Sequence, residues 1–210
     1  QDFSAMLPLS LISISKYKKI ADVGSAPGGK LFQILSKNNN VTSYEKNKKR
    51  IIKLNENLER LQFFKEVKTF DFLKENELNK FDLVVIDAPC SAIGTIRRHP
   101  EIFLKEKPNF KSLLDIQKKL LDKASSLLVK NGILIYMVCS FFEIETTKQI
   151  YDFLKRNNNF FITNFHDEKN NLTNSLLDTN GFIFSLPQTI LRDITIDGYF
   201  AAQLIKVNDK

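Results

Sequence analysis

Short, nearly continuous apolar runs alternate along the chain with stretches whose apolar residues recur at helical spacing. Residues 19–23 open the series as a strand candidate, residues 30–37 read as a short helix, and residues 41–44 as a second strand. In the segment 48–61, Ile51, Leu54, Leu58 and Leu61 share one helical face. Residues 67–70 and 81–86 are the next strands. The second of these, Phe81-Asp82-Leu83-Val84-Val85-Ile86, is almost wholly apolar, as a strand covered on both faces must be. Leu113, Ile116, Leu120, Leu121, Ala124 and Leu127 mark a long amphipathic helix, which Asn131-Gly132 is predicted to stop before a buried strand at 133–137. Residues 146–156 are helical, 160–164 extended, and 198–206 a last strand. The runs Asn38-Asn39-Asn40 and Asn157-Asn158-Asn159 read as loop tips, and no internal repeat is visible.

Strands alternating with helices predict an α/β fold, a parallel sheet with helices on both faces. Such sheets bind ligands at the carboxyl ends of their strands. The chemistry is therefore expected just after residues 23, 44, 70, 86 and 137.

Composition narrows the field. A chain of 210 residues with 43% hydrophobic positions can bury one full core, and a single catalytic domain over residues 1–210 is expected. Lys and Arg number 31 against 24 Asp and Glu, and the resulting +7 favours a polyanionic partner. Cys90 and Cys139 are the only cysteines, which excludes a disulfide scaffold and points to a reducing compartment, the cytoplasm. The longest apolar run, Met6 to Ile14, is too short to span a bilayer and lacks the cationic flank of a signal peptide. The first residue is Gln1 rather than Met, consistent with a piece of a longer protein.

After the first strand the chain reads Asp22-Val23-Gly24-Ser25-Ala26-Pro27-Gly28-Gly29-Lys30. Small residues let backbone approach a ligand, and amides opening a helix attract negative charge. The dinucleotide fingerprint fails at its third position. The phosphate loop nearly fits, but Leu31 stands where Ser or Thr must hold magnesium. A loop for S-adenosylmethionine needs no metal and tolerates Pro27, and a plain structural turn is the alternative. Glu45, after the second strand, is placed to accept both hydroxyls of an adenosine ribose; otherwise it is a solvated charge beside Lys46, Lys48, Lys49 and Arg50. Asp71, after the third, could accept from an adenine amino group, cap a short helix, or do both. After the fourth and fifth strands stand Asp87-Ala88-Pro89-Cys90-Ser91 and Val138-Cys139-Ser140, so both cysteines fall at one sheet edge. Two Cys are too few for a metal site, and His99 and His166 lack ligand spacing. A redox pair would lack the usual Cys-x-x-Cys, which leaves a nucleophile and a helper as the better reading.

Five pieces of sequence then fall into a known pattern: Ala26-Pro27-Gly28-Gly29-Lys30, Asp87-Ala88-Pro89-Cys90-Ser91, Arg97-Arg98-His99-Pro100, Tyr136 to Ser140, and Asp197-Gly198-Tyr199-Phe200. In this order they resemble the catalytic domain of the RNA (cytosine-5) methyltransferases, the family of the bacterial small-subunit ribosomal RNA enzyme and its nucleolar relatives. The resemblance runs over essentially the whole chain. It implies a Rossmann-like class I S-adenosylmethionine-dependent methyltransferase fold, mostly parallel with an antiparallel last strand. Gly24, Ser25, Ala26, Pro27, Gly28, Gly29, Lys30, Glu45, Asp71 and Asp87 are the expected cofactor residues, and no metal is expected. The resemblance makes Cys139 the nucleophile at cytosine carbon 6, gives Asp87 the base near nitrogen 3, and gives Cys90 the release step. It implies ribosomal RNA as partner, with transfer RNA second, and a monomer without membrane contact. Three departures stand out: Val138 replaces the usual Thr, Gly24 replaces Cys or Ala, and the family's amino-terminal RNA-recruiting domain is not seen.

Arg97, Arg98 and His99 suit phosphate contacts, with a solvated loop as the alternative. Phe141 and Phe142 could stack on a base, but core packing is expected in a chain with 18 Phe and no Trp. Two rivals remain. Methylation of an exocyclic nitrogen would put an aromatic residue where Cys90 stands. An inactive RNA-binding module would have lost Cys139 or the glycine loop, and both are present.

Overall fold

The computed structural model describes residues 2–63, 71–76, 80–165, 176–191 and 193–207. The strand expected at 67–70, and His166, lie outside the described residues. In chain order the elements that frame the site are α1 (Phe3–Ser10), β1 (Ile20–Val23), α2 (Gly29–Leu35), β2 (Val41–Tyr44), α3 (Lys48–Arg60), β3 (Phe81–Asp87), α4 (Phe110–Leu127), β4 (Leu128–Val138), α5 (Thr147–Arg156), β5 (Phe160–Thr163), β6 (Ile183–Ser185), a small hairpin of β7 (Ile190–Leu191) and β8 (Ile194–Thr195), and β9 (Tyr199–Lys206). The main sheet runs β2-β1-β3-β4-β9-β5, with β6 also paired to β9. Strands β2, β1, β3 and β4 pair in parallel, and β9 lies antiparallel to β4. This is the α/β sheet that the alternation of elements predicts, mostly parallel with the antiparallel last strand that the family resemblance implies.

Strand alternation divides the core into two layers. Leu83 and Val85 of β3 and Ile133, Ile135 and Met137 of β4 face α1, α2 and α3, meeting Leu9, Leu31, Ile34 and Leu54. Val84, Ile86, Leu134 and Tyr136 face α4 and α5, meeting Leu121, Ala124, Ile150 and Phe153. A side chain such as Leu121, at 0% exposure, contributes about 1.5–3 kcal/mol by leaving water.

Two departures from the sequence reading have clear causes. Helix α4 ends at Leu127, before Asn131-Gly132, because Leu128 already pairs with Phe81. Asn131 instead turns at φ 60 within β4, where the register with β3 shifts between Phe81 and Leu83. The apolar run near the amino terminus is a helix, α1, despite Pro8. Asp2 caps it, accepting from the Ser4 amide at 3.0 Å, and Leu7 and Leu9 are buried. Among the described residues no helix is long and apolar enough to cross a membrane.

The pairing register gathers one functional edge. Val23 lies beside both Tyr44 and Ile86, Ile86 beside Tyr136, and Val138 beside Phe200. The residues following β1, β2, β3 and β4 and those opening β9 therefore meet at the same side of the sheet.

Candidate active site

At that edge the β1–α2 turn is shaped by glycine. Gly24 adopts φ +81, and a Cβ there would stand 2.5 Å from the Asp87 carbonyl oxygen, so only glycine lets the turn lie against the end of β3. Helix α3 pins the rest: Arg50 donates to the Ala26 carbonyl, and Asn57 Nδ2 donates to the Pro27 carbonyl at 3.0 Å. Ser25 Oγ donates to the Asp22 carbonyl at 2.9 Å. Beside this turn lies a cleft of about 400 Å³. Of residues 24–30 only Gly24 lines it; Ser25 to Gly29 build the turn behind, with Pro27 exposed.

The cleft pairs an apolar wall with a set of acceptors. Val23, Phe72, Ala88, Ile116 and Leu120 supply the apolar wall. Glu45, Asp71 and Asp87 reach the same space. Glu45 is buried; its Oε1 accepts from the Asn47 amide at 2.9 Å, while Oε2 lies 3.3 Å from an Arg50 nitrogen and accepts no hydrogen bond. Asp71 caps the short 3₁₀ turn Phe72–Lys74, accepting from the Leu73 amide at 3.1 Å, so capping and a place at the cleft coexist. Behind the cleft, Asp22 is 0% exposed, and neither carboxylate oxygen receives a hydrogen bond. Burial pushes its carboxyl up to about 6, against the pull of Ser25 and Lys30. Carboxylates beside an apolar wall, one of them with an oxygen, Glu45 Oε2, that accepts no hydrogen bond, suit a ligand rich in hydrogen-bond donors. Hydroxyls, an exocyclic amine and an ammonium would satisfy these acceptors.

Lys30 leaves the cleft wall and turns inward, 2.7 Å from Asp87 Oδ2 and 5.6 Å from the centre of the Tyr199 ring. Burial pulls its pKa down, but Tyr199 and Asp87 outweigh that and hold it above the ordinary value, so the ammonium stays charged. Cys90 and Cys139, from the adjacent ends of β3 and β4, place their sulfurs 3.4 Å apart in the cleft. The contact with Cys90, in which either thiol can donate, holds the Cys139 thiol below its usual range, with burial and Asp87 opposing and Lys30 assisting. The same contact, together with burial, raises Cys90 well above it. The contact thus eases ionisation at Cys139 and hinders it at Cys90.

Glu145, not singled out by its sequence context, is buried directly behind the pair. It accepts from the Ser91 amide at 2.8 Å and from the Ser140 hydroxyl at 2.6 Å, each the residue after a cysteine. Its only sequence signal is the Ser that follows both cysteines.

The cationic spot resolves differently from its sequence reading. Arg97 lies 2.8 Å from Asp2 and 3.1 Å from Asp197, and Arg98 donates to Asp197 at 2.8 Å through Nε. Their charges are matched by carboxylates, so both arginines tie the loop after β3 to the amino terminus and to the entry of β9. His99 is half exposed beside Glu101, at 3.1 Å. Phe141 and Phe142 pack on each other at 5.3 Å between ring centres, and Phe142 meets Phe110 of α4 at 5.7 Å, which is packing at the rim of the core. Among the described residues no group of three or more His, Cys, Asp or Glu could hold a metal.

Residues 10–205 match the family described as 16S rRNA methyltransferase RsmB/F. The chain is similar to ribosomal RNA small subunit methyltransferase B of Photorhabdus laumondii, 38% identical over 74% of this chain and 38% of that protein. It is 32% identical to the protein of the same name from Pectobacterium atrosepticum, over 98% of this chain and 46% of that one. The chain thus spans less than half the length of these curated relatives. A methyltransferase homolog protein from Pyrococcus horikoshii superposes with a TM-score of 0.75 at 26% identity, covering 99% of this chain and 67% of that chain. NSun6 of the same organism shares the fold, with a TM-score of 0.80 at 22% identity over 100% of this chain and 53% of that one. With the match running from before β1 into β9, the chain belongs to the RsmB/F family of 16S rRNA methyltransferases.

Proposed function

We propose that this chain is the catalytic unit of an S-adenosylmethionine-dependent RNA (cytosine-5) methyltransferase that acts on ribosomal RNA through a covalent adduct at Cys139. The observation that carries this reading is the pair of thiols 3.4 Å apart, biased toward a Cys139 thiolate, at a cleft rimmed by acceptors. Bound S-adenosylmethionine supplies an electrophilic methyl group. Glu45 and Asp71 would hold its adenosine, and the apolar wall its ring. Carbon 5 of cytosine is a poor nucleophile until a thiolate adds at carbon 6, a task suited to Cys139. Asp87, fixed by Lys30, would meet nitrogen 3 and favour the proton gained there. After transfer Cys90 would assist loss of the carbon-5 proton, and the Cys139–carbon 6 bond breaks. The target base must leave its stack, which costs a few kcal/mol, least in single-stranded RNA. Ribosomal RNA as substrate is supported by the names of the relatives.

The test is nucleoside analysis of small-subunit ribosomal RNA after incubation with the protein and methyl donor. New 5-methylcytosine is expected; methyl transfer to an exocyclic nitrogen, or none in any RNA, overturns the reading. Glu45→Ala is expected to weaken S-adenosylmethionine binding by about 1.5–3 kcal/mol, the range for hydrogen bonds to a charged group. Unchanged affinity by calorimetry would remove Glu45 from the site.

A further inference from the structure

The pairing of β3 with β4 ends at Asp87 and Met137, with one further bond from the Ala88 amide to the Met137 carbonyl at 3.0 Å. Both cysteines lie beyond that point, on loops that the strand ladder no longer holds together. Glu145, at 0% exposure, bridges the loops from behind. Its Oε1 accepts from the Ser91 amide at 2.8 Å. Its Oε2 accepts from the hydroxyls of Ser91 at 2.5 Å and Ser140 at 2.6 Å. Ser91 follows Cys90 and Ser140 follows Cys139, so one carboxyl group is bonded to both cysteine loops. The acid is itself held in place. Gln117 of α4 donates to Oε1 at 3.3 Å and to the Pro89 carbonyl at 2.9 Å. The Tyr136 hydroxyl donates to the Glu145 carbonyl at 2.8 Å, and the Glu145 amide donates to the Phe142 carbonyl at 2.9 Å. The bridge does not require a charge: a protonated Oε2 would donate to one serine and accept from the other.

We propose that Glu145 is a positioning residue that ties the two cysteine loops into one unit and thereby fixes the 3.4 Å separation of the sulfurs. This deepens the proposed function and rests on it for the catalytic meaning of that spacing. There, Cys139 bonds carbon 6 while Cys90 serves the proton on the adjacent carbon 5. The two sulfurs must therefore reach neighbouring atoms of one ring, and the loops must not part between the steps. A second tie lies on the other side: the Gly94 amide donates to the Cys139 carbonyl at 3.0 Å. That bond holds the Cys139 main chain, whereas Glu145 grips the residue after each cysteine. Cutting the Glu145 bridge loosens the two turns against each other while the Gly94 bond stays.

The test is the rate at which diamide closes a Cys90–Cys139 disulfide in the protein without RNA or methyl donor, read by peptide mass spectrometry. Diamide takes two electrons and two protons from the thiols, and the bond it leaves has no spacer, so the rate follows how often the sulfurs meet. Closure is expected in the wild-type protein. Glu145→Ala removes the bridge and is expected to slow closure about tenfold or more, since a displacement of about 1 Å can cost on the order of 100-fold in rate. Glu145→Gln keeps the bridge, its carbonyl accepting from the two N–H donors and its amide donating to the two hydroxyls, and is expected to close as the wild type does. Neither variant can carry a carboxylate charge, so a difference between them reports the contacts alone. A merely structural role would lower the Tm of Glu145→Ala and leave closure in the folded protein unchanged. Ser140→Ala cuts the bond to the Cys139 loop with Glu145 in place; it too is expected to slow closure, and it decides the matter should Glu145→Ala fail to fold. The proposal is overturned by no closure in the wild type, by a wild-type rate in folded Glu145→Ala or Ser140→Ala, or by Glu145→Gln closing as slowly as Glu145→Ala. The expected pattern without methyl transfer to RNA would sink the proposed function alone. A protein that makes 5-methylcytosine while its closure ignores these substitutions would sink the bridge alone.

Discussion

Cys90→Ala is expected to accumulate a covalent protein–RNA species that survives denaturing electrophoresis, whereas Cys139→Ala forms none and makes no product. The asymmetry follows from order of action: a missing nucleophile stops the first step, and a missing release group stops the last. The two sulfurs are 3.4 Å apart, so either could reach a base bound between them, and proximity alone does not assign the roles. The proton does. The 3.4 Å contact, with Lys30 assisting, holds the Cys139 thiol below its usual range, while the same contact and burial raise that of Cys90. Thiolate is the attacking form, so the proposed attack is by Cys139. Removing Cys90 also removes this contact from Cys139, so its thiolate fraction falls and the adduct forms more slowly. It still builds up, because its breakdown is blocked. Trapping by Cys139→Ala in place of Cys90→Ala would reverse the assignment. Equal loss of stability in both variants with no trapped species would make the pair structural.

The gathering of the candidate residues at one edge was legible because they sit in short motifs directly after strands, and strands buried on both faces announce themselves. β3 is the clearest case: with apolar residues on both faces it could only be an inner strand, and Asp87 and Cys90 follow from its end. Gly24 and Asp71 were likewise local, one a turn residue and the other a cap. What sequence could not reveal was pairing across distance. Arg97 and Arg98 look free until Asp2 and Asp197, 95 and 99 residues away, are folded onto them. Glu145 stands in Glu143-Ile144-Glu145, a stretch that no motif marks, and only packing shows that Glu145 is enclosed. Lys30 was placed in the cofactor loop by its motif, but the first turn of α2 aims it at Asp87 and Tyr199. Burying a charge costs several kcal/mol unless it is paired, so these long-range partners are as necessary to the site as the motifs.

Gly94→Ala should then disable the site without touching a reacting group. Gly94 lies where three backbones cross: its amide donates to the Cys139 carbonyl at 3.0 Å, and its own carbonyl accepts from the Gly198 amide at 2.8 Å. A methyl group on Gly94 would stand 1.9 Å from the Gly198 carbonyl oxygen and 3.0 Å from that of Cys139. Both are backbone atoms, so no rotamer change relieves the contact. A Cβ on Gly198 would likewise stand 2.9 Å from Gly94 Cα, so neither chain of the crossing has room for a side chain, and Gly198 leads directly into β9. Either the loop after β3 lifts, or the entry of β9 does, and one or both hydrogen bonds break. Overpacking of about 1–3 kcal/mol together with about 0.5–1.5 kcal/mol for each lost hydrogen bond gives an expected destabilisation of a few kcal/mol, read as a lower Tm. The effect on catalysis is larger. The Cys139 backbone moves with the contact, and a displacement of about 1 Å can cost on the order of 100-fold in rate. Adduct formation by Gly94→Ala is therefore expected to fall at least that far at a temperature where the variant remains folded by circular dichroism. A folded Gly94→Ala protein with a wild-type rate of adduct formation would show that the cysteine is not positioned through this crossing.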